Sequence, residues 1–151
     1  MSDPRVILLV EDNADDVALA RRAFGKMDRE VRIVVASDGA EAIEMLLGDD
    51  DGKRVHPRMV LLDLKLPKVD GLGVLRRIRS DVRTRHLPVV VMSSSADDRD
   101  VGAAYELGAN SFVRKPVDYA RFVEAARQIH LYWLQLNHPA PVTTSHARLS
   151  V

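Results

Sequence analysis

Four short apolar runs, rich in valine, isoleucine and leucine, constrain the fold of this chain more than any other feature. They lie at residues 6–10, 31–36, 59–62 and 89–92, and a weaker fifth run lies at residues 111–114. They show little of the polar alternation expected of a strand that has one face in water. Runs of this length and composition are typical of parallel strands that are covered on both faces.

The segments between these runs carry apolar residues at helical spacing. Ser37 or Asp38 could cap the second helix, Asp70 could cap the third, and Gly108 is a natural end for the fourth. The order strand, helix, repeated five times, predicts an α/β domain with a parallel sheet and right-handed crossovers. The predicted helices cover residues 14–26, 40–47, 71–79, 98–107 and about 118–136.

Composition limits the classes of function. The chain has 151 residues, of which 46% are hydrophobic, so it can build one ordinary core. Lys+Arg 22 and Asp+Glu 22 cancel, which argues against a nucleic-acid or membrane surface. Cys 0 excludes disulfides, thiolate nucleophiles and cysteine-ligated metals.

The chain shows no sign of a targeting or spanning segment. A basic stretch followed by an apolar leader is missing at the N-terminus, and no run approaches the roughly 20 apolar residues that cross a bilayer. We therefore expect a soluble, cytoplasmic protein. Residues 1–136 are predicted to form one domain, and residues 137–151, with two prolines and few large apolar residues, a C-terminal tail.

Polar side chains follow the predicted strands where each apolar run stops. Glu11 and Asp12 end the first, Asp63 the third, Ser93 the fourth and Lys115 the fifth. Open α/β sheets bind ligands at the carboxyl ends of their strands. These side chains are therefore candidates for one shared site.

Three carboxylates at one edge repel each other, so one takes up a proton or a cation binds. Ligands that are all oxygen suit a hard divalent ion such as Mg²⁺. Lys115 and the Ser93 hydroxyl, with Mg²⁺, would neutralise a transferring phosphoryl group. Asp63 is then the nucleophile and forms an aspartyl phosphate.

These motifs as a set resemble the receiver domain of response regulators in two-component signalling. The matching stretches are "ILLVEDNADD", "VLLDLKLPKVDGLGVLRRIR", "LPVVVMSSS" and "GANSFVRKPVD", and they span about residues 5–136. The resemblance implies a (βα)5 fold, a doubly wound five-stranded parallel sheet of the flavodoxin-like type. It also implies signalling rather than enzymatic turnover, with phosphoryl taken from a histidine kinase and lost slowly by autodephosphorylation.

The resemblance assigns roles to residues of the site. It implies that Asp63 is the phosphoacceptor, that Glu11, Asp12 and Asp63 bind Mg²⁺, and that the backbone carbonyl of Lys65 completes the ligand set. Lys115 matches the family's catalytic lysine, and the Lys115–Pro116 bond is expected to be cis.

The resemblance also implies a switch. Ser93 matches the switch serine or threonine, and Phe112 matches the switch aromatic residue. Phe112 lacks the hydroxyl of the tyrosine found in many receivers, so burial alone would govern its inward state. Lys65 and Ser95 stand where side chains can reach the line of water attack, which leaves the lifetime of the phosphorylated form open.

A narrower resemblance is to the single-domain receivers that partner phytochrome-like histidine kinases. It rests on "LLVEDNADDVALARRAF" near the N-terminus and on the aromatic ending "QIHLYWLQLN". It implies a sensor histidine kinase, a bacteriophytochrome among the candidates, as the partner.

The end of the last predicted helix is apolar nearly all round. The helical stripe that is predicted to face the sheet comprises Phe122, Ala126, Ile129, Trp133 and Leu136, which leaves Leu131, Tyr132 and Leu134 off it. Either the tail covers these side chains or a second copy docks there. We favour a homodimer whose contacts are Leu131, Tyr132, Trp133 and Leu134.

Other classes fit the site less well. Glu11 and Asp12 could simply cap and charge the first helix, and Asn13 and Asp15 could do so as well. Phosphohydrolases of the haloacid-dehalogenase type carry an acid two residues after the nucleophile, where this chain has Lys65. A nucleotide- or flavin-binding domain should have a glycine-rich first turn instead of "EDNADD". A phosphate-independent interaction module would not need the complete set of acids, serine and lysine.

Overall fold

The strand and helix order agrees with the prediction. A computed structural model describes residues 3–141, with side chains from residue 5 onward. The strands are β1 Asp3–Val10, β2 Arg32–Ala36, β3 Pro57–Leu62, β4 Val89–Ser93 and β5 Ser111–Arg114. The helices are α1 Ala14–Met27, α2 Gly39–Leu47, α3 Gly71–Ser80, α4 Asp98–Glu106 and α5 Tyr119–Ile129, with a 3₁₀ turn at Asp51–Lys53 and a π-helix at His130–Leu136.

The strands of this described part form one sheet in the order β2-β1-β3-β4-β5, and every neighbouring pair is parallel. The chain runs from β1 outward to β2 and then crosses to β3 on the other side of β1. Strand order therefore reverses between β1 and β3, which is where doubly wound sheets bind ligands.

Side chains from successive strand residues enter two separate cores. Ile7 and Leu9 pack with α1 and α5 on one face, while Leu8 and Val10 pack with α2, α3 and α4 on the other. All four side chains are buried. This two-sided burial explains why the strands read as continuous apolar runs, and it confirms the (βα)5 doubly wound fold.

Each α-helix of the described chain begins after an asparagine or aspartate whose side chain accepts a backbone N–H bond from the first turn. The caps are Asn13, Asp38, Asp70, Asp97 and Asp118. Asp38 rather than Ser37 caps α2. Asn13 caps α1, so the alternative that Glu11 or Asp12 serves as its cap is wrong.

The last helix reaches Leu136 as predicted, but it widens into a π-helix from His130 onward. An Asn137 N–H to Tyr132 carbonyl bond of 2.6 Å spans five residues, as this geometry requires. The wider turn changes which residues of the helix face the core. Leu134 is therefore buried at 9% exposure, whereas Leu136 is 66% exposed instead of facing the sheet.

Residues 137–141, the described start of the predicted tail, form no regular element, and residues 142–151 lie outside the described residues. Between residues 3 and 141, the structure contains no helix with the length and apolar character needed to cross a membrane.

Candidate functional site

Glu11, Asp63 and Lys115 each stand one residue beyond a strand, and hydrogen bonds of the sheet still hold their main chains. The Glu11 N–H donates to the last carbonyl of β2 at 3.0 Å, and the Asp63 N–H to the last carbonyl of β1 at 3.1 Å. The Lys115 N–H donates to the last carbonyl of β4 at 2.8 Å. All three side chains consequently start from the carboxyl edge of the sheet, as the sequence predicts.

The predicted acids meet at this edge. Glu11, Asp12 and Asp63 each place a carboxylate oxygen within 4.8 Å of the other two. Glu11 is 4% exposed and Asp63 is 7% exposed, while Asp12 lies at the surface. Buried carboxylates this close need a positive charge, and oxygen ligands suit a hard divalent cation.

Lys115 supplies one positive charge. Its Nζ lies 2.7 Å from Glu11 Oε1 and 3.5 Å from Asp63 Oδ2. A third contact, 2.9 Å to Asp16 Oδ2, was not predicted from the sequence. A signal was present, because Asp16 lies one helical turn before the buried Ala20 and so shares the sheet-facing side of α1.

Burial and ion pairing act against each other in this cluster. Burial raises the pKa of Glu11, its partner Lys115 lowers it, and the net shift is upward. Burial also lowers the pKa of Lys115, but hydrogen bonds to Glu11 and Asp16 and the charge of Asp63 outweigh it, so that the net shift is upward. Lys115 is therefore a fixed cation, and burial favours the protonated form of Glu11.

Ser93 and Phe112 lie on the neighbouring strands. Ser93 is fully buried at the end of β4, and its hydroxyl accepts the Ser95 N–H at 3.3 Å. Ser95 in turn donates its hydroxyl to Asp100 of α4 at 3.2 Å, which joins the loop after Ser93 to that helix. Phe112 is half-buried against the core that β4 and β5 share with α2, α3 and α4.

The loop from β3 to α3 is tied to Asp63 and Leu64 by hydrogen bonds from backbone N–H groups. The Lys65 N–H donates to Asp63 Oδ1 at 3.2 Å, and the Gly71 N–H donates to the Leu64 carbonyl at 3.0 Å. Lys68 adopts a left-handed φ of 67° and pairs with Asp38 at 3.3 Å. The role of the Lys65 carbonyl as a metal ligand stays a prediction.

One expectation from the resemblance is wrong. The residues that the structure describes include no cis peptide bond, so the Lys115–Pro116 bond is trans. The trans isomer is the one that X-Pro bonds prefer, by about 0.5–1 kcal/mol.

Comparison with known proteins agrees with the geometry. The response regulator receiver domain family matches residues 7–127. The probable methanogenesis regulatory protein FilR2 of Methanothrix harundinacea is 43% identical over 92% of this chain and 90% of its own length. Response regulator Rcp1 of Synechocystis is 32% identical over 87% of this chain and 90% of its own.

Solved structures of the same family are also similar to this chain. The phosphorylated cyanobacterial phytochrome response regulator RcpA superposes with a TM-score of 0.85 at 32% identity, covering 91% of this chain and 99% of its own. The Mn²⁺-bound form of Rcp1 gives 0.83 at 31% identity, covering 91% and 100%. The bacteriophytochrome response regulator AtBRR gives 0.67 at 42% identity, covering 89% and 98%. The fold, the cluster of acids at the sheet edge and these matches agree. The chain belongs to the response regulator receiver domain family of two-component signalling, close to the phytochrome-associated regulators.

Proposed function

We propose that this receiver accepts a phosphoryl group on Asp63 with the help of Mg²⁺, and that the phosphorylated form alters its contacts with other proteins. One observation carries the proposal. Three carboxylates have oxygens within 4.8 Å of each other, and the Lys115 ammonium lies 3.5 Å from the acid proposed to react.

The donor set fits a divalent cation. Glu11, Asp12, Asp63 and the Lys65 carbonyl would hold it, because hard oxygen ligands and excess negative charge suit Mg²⁺. When bound, the cation neutralises charge on the acids and on the phosphoryl oxygens. The Mn²⁺-bound structure of Rcp1 supports a divalent metal in this type of domain.

The chain's own residues have distinct roles in the transfer. An Asp63 oxygen attacks the phosphorus of a phosphohistidine, the phosphorus–nitrogen bond breaks, and the histidine is released. Lys115 binds a phosphoryl oxygen as a fixed cation. The Ser93 hydroxyl donates to another oxygen, and Phe112 moves inward, which shifts the population of conformers at the face formed by α4, β5 and α5.

The protein is thus a switch that carries one phosphoryl group and loses it slowly to water. Its proposed partner is a sensor histidine kinase of the phytochrome type in the cytoplasm. Support comes from the likeness to RcpA and to the bacteriophytochrome response regulator AtBRR.

Intact-mass spectrometry tests the acceptor. The protein is incubated with Mg²⁺ and acetyl phosphate, and we expect one phosphoryl adduct in the wild type and none in Asp63→Asn. Asp15→Asn, an exposed acid in the first turn of α1, is the charge-matched control and should still be labelled. Labelling that survives Asp63→Asn, or that proceeds equally in EDTA, contradicts the site.

We also propose a homodimer through the apolar surface of the π-helix. Leu131 and Tyr132 are 40% and 50% exposed, and Trp133 packs edge-on against the Tyr132 ring at 4.8 Å. Leu134 was predicted to join this contact, but it is buried in its own chain and cannot. Leu136, at 66% exposure, takes its place in the proposed surface.

Light scattering tests the dimer. Leu131→Ser combined with Tyr132→Ser should reduce the apparent mass from two chains to one, because the change removes apolar contact area. Tyr105→Ser, at a tyrosine of matched 49% exposure on α4, should leave the mass unchanged. A wild-type protein that is monomeric at high concentration rules the dimer out.

A further inference from the structure

Asp16 is an additional acid of the site that the metal group does not include. Its carboxylate oxygen lies 2.9 Å from Lys115 Nζ, and it lines the same pocket as Glu11, Asp63 and Lys115. We propose that Asp16 is a positioning residue, which holds the Lys115 ammonium on the α1 side of the site and competes with an incoming phosphoryl group for it. The proposal rests on phosphoryl acceptance at Asp63.

The hydrogen-bond capacity of the ammonium supports this competition. A lysine ammonium has three N–H donors. In the structure Lys115 contacts three carboxylates, at 2.7 Å to Glu11, 2.9 Å to Asp16 and 3.5 Å to Asp63. Every donor is therefore used, and the longest contact is with the acceptor residue. Lys115 can bond a phosphoryl oxygen only by giving up one of these partners.

Asp16 is the partner most easily given up. Its side chain is 34% exposed, whereas that of Glu11 is 4% exposed, so water can solvate the Asp16 carboxylate after release. Glu11 cannot leave in the same way because it is buried and is a proposed metal ligand. The Asp16 main chain stays in place, since its N–H donates to the cap residue Asn13 at 3.1 Å. Phosphorylation therefore exchanges the Asp16 carboxylate for a phosphoryl oxygen and frees a negative charge on α1.

The test compares Asp16→Asn with Asp15→Asn, which removes the same charge from an exposed neighbour. Each protein is saturated with Mg²⁺, and its affinity for beryllium trifluoride, a phosphoryl mimic, is measured by isothermal titration calorimetry. Loss of a partly exposed ion-pair competitor should tighten binding by about threefold relative to Asp15→Asn. Asp16→Glu, which keeps the charge, should return the affinity to the wild-type value, and thermal unfolding checks that each variant folds.

A second measurement, by NMR, follows the contact between Asp16 and Lys115. In wild-type protein the carboxyl ¹³C resonance of Asp16 should shift when the mimic binds, and that of Asp15 should not. The proposed competition is wrong if Asp16→Asn binds the mimic no more tightly than Asp15→Asn does. It is also wrong if the Asp16 resonance does not move. A wild-type protein that binds no mimic contradicts the proposed function instead, and the role of Asp16 falls with it.

Discussion

Glu11 combines burial, an ion pair and a proposed metal bond in one side chain. Burial raises its pKa, partly opposed by Lys115. Since a metal binds the ionised carboxylate, protonation and metal binding compete at this residue. An acid whose pKa is raised in the folded state binds protons more readily than it does in the unfolded chain. Its own contribution to stability therefore declines as the pH rises above the ordinary range of a glutamate.

We expect acidification to weaken Mg²⁺ binding at a higher pH than an ordinary glutamate would cause, because burial raises the pKa of Glu11 and its proton competes with the metal. Mg²⁺ titrations followed by NMR at several pH values measure the effect. An affinity that stays constant down to pH 4.5, where an ordinary glutamate is half protonated, contradicts the prediction.

Gly71 lets the chain pass close to the Asp63 and Leu64 main chain because it has no side chain. A Cβ atom at this position would lie 2.3 Å from the Asp63 carbonyl oxygen and 2.6 Å from the Leu64 Cα. Both contacts are with main chain, which cannot rotate away. The backbone that carries Asp63 would have to move.

Gly71→Ala should therefore destabilise the fold by about 1–3 kcal/mol in urea unfolding and slow labelling of Asp63. Gly102→Ala is the control, because nothing lies within 4 Å of its added Cβ. In the interior of α4 that change should leave stability unchanged or raise it by up to about 1 kcal/mol. A neutral Gly71→Ala would show that the loop yields at little cost.

The candidate site residues were predictable where the chain leaves a strand. Asp63 and Lys115 follow apolar runs directly, so parallel topology alone brings them to one edge. Asp16 was missed because it lies inside α1 rather than at a strand end, although its spacing to Ala20 placed it on the sheet-facing side of the helix. The trans Lys115–Pro116 bond was mispredicted because isomer choice is worth little energy and the expectation came from resemblance.

Among the secondary-structure elements, the π-helix most strongly determines which apolar side chains are exposed. A regular α-helix would bring Leu136 towards the sheet with Ile129 and Trp133, as predicted from spacing. The observed five-residue hydrogen bond at the end of the helix brings Leu134 inward instead. Single-sequence periodicity assumes a constant number of residues per turn, so it could not detect this change.

Two leucine substitutions distinguish the π from the α register. Leu134→Ala should lower the free energy of unfolding by about 2–5 kcal/mol, because it leaves a cavity beside the α5 core. Leu136→Ala should change it by less than about 0.5 kcal/mol when measured in dilute solution. A larger loss of stability for Leu136→Ala than for Leu134→Ala would show that the helix is a regular α-helix in solution.

For the whole molecule, metal binding and folding are linked. Glu11 and Asp12 lie far along the chain from Asp63, so only the folded protein brings all three acids together. A ligand that binds only the folded state stabilises it, by about 2.7 kcal/mol at one hundred times its dissociation constant. For a domain of this size that corresponds to a rise of several degrees in Tm.

We expect saturating Mg²⁺ to raise the Tm of the wild type, measured by circular dichroism, and to raise that of Asp12→Asn much less. Asp12 is exposed and its charge repels Glu11 and Asp63, so its substitution should leave the metal-free Tm unchanged or raise it slightly. Asp15→Asn should respond to Mg²⁺ as the wild type does. An undiminished response in Asp12→Asn would remove that residue from the ligand set.

The global architecture was largely predictable. Apolar runs without alternation indicated strands covered on both faces, and Ile7 and Leu8 do enter opposite cores. Ser111–Arg114, the weakest prediction, is a strand because it pairs with β4 at the edge of the sheet. Contact with a second copy, as proposed, would depend on exposed surfaces, which hydrophobic periodicity does not describe.

The main-chain bonds of Glu11, Asp63 and Lys115 to neighbouring strands carry an evolutionary consequence. The sheet sets the spacing of these proposed reactive groups, so the loops around them can change in length and chemistry without altering that spacing. Kinase preference and phosphoryl lifetime can then drift independently of the reaction geometry, which helps one scaffold to serve many separate signalling circuits.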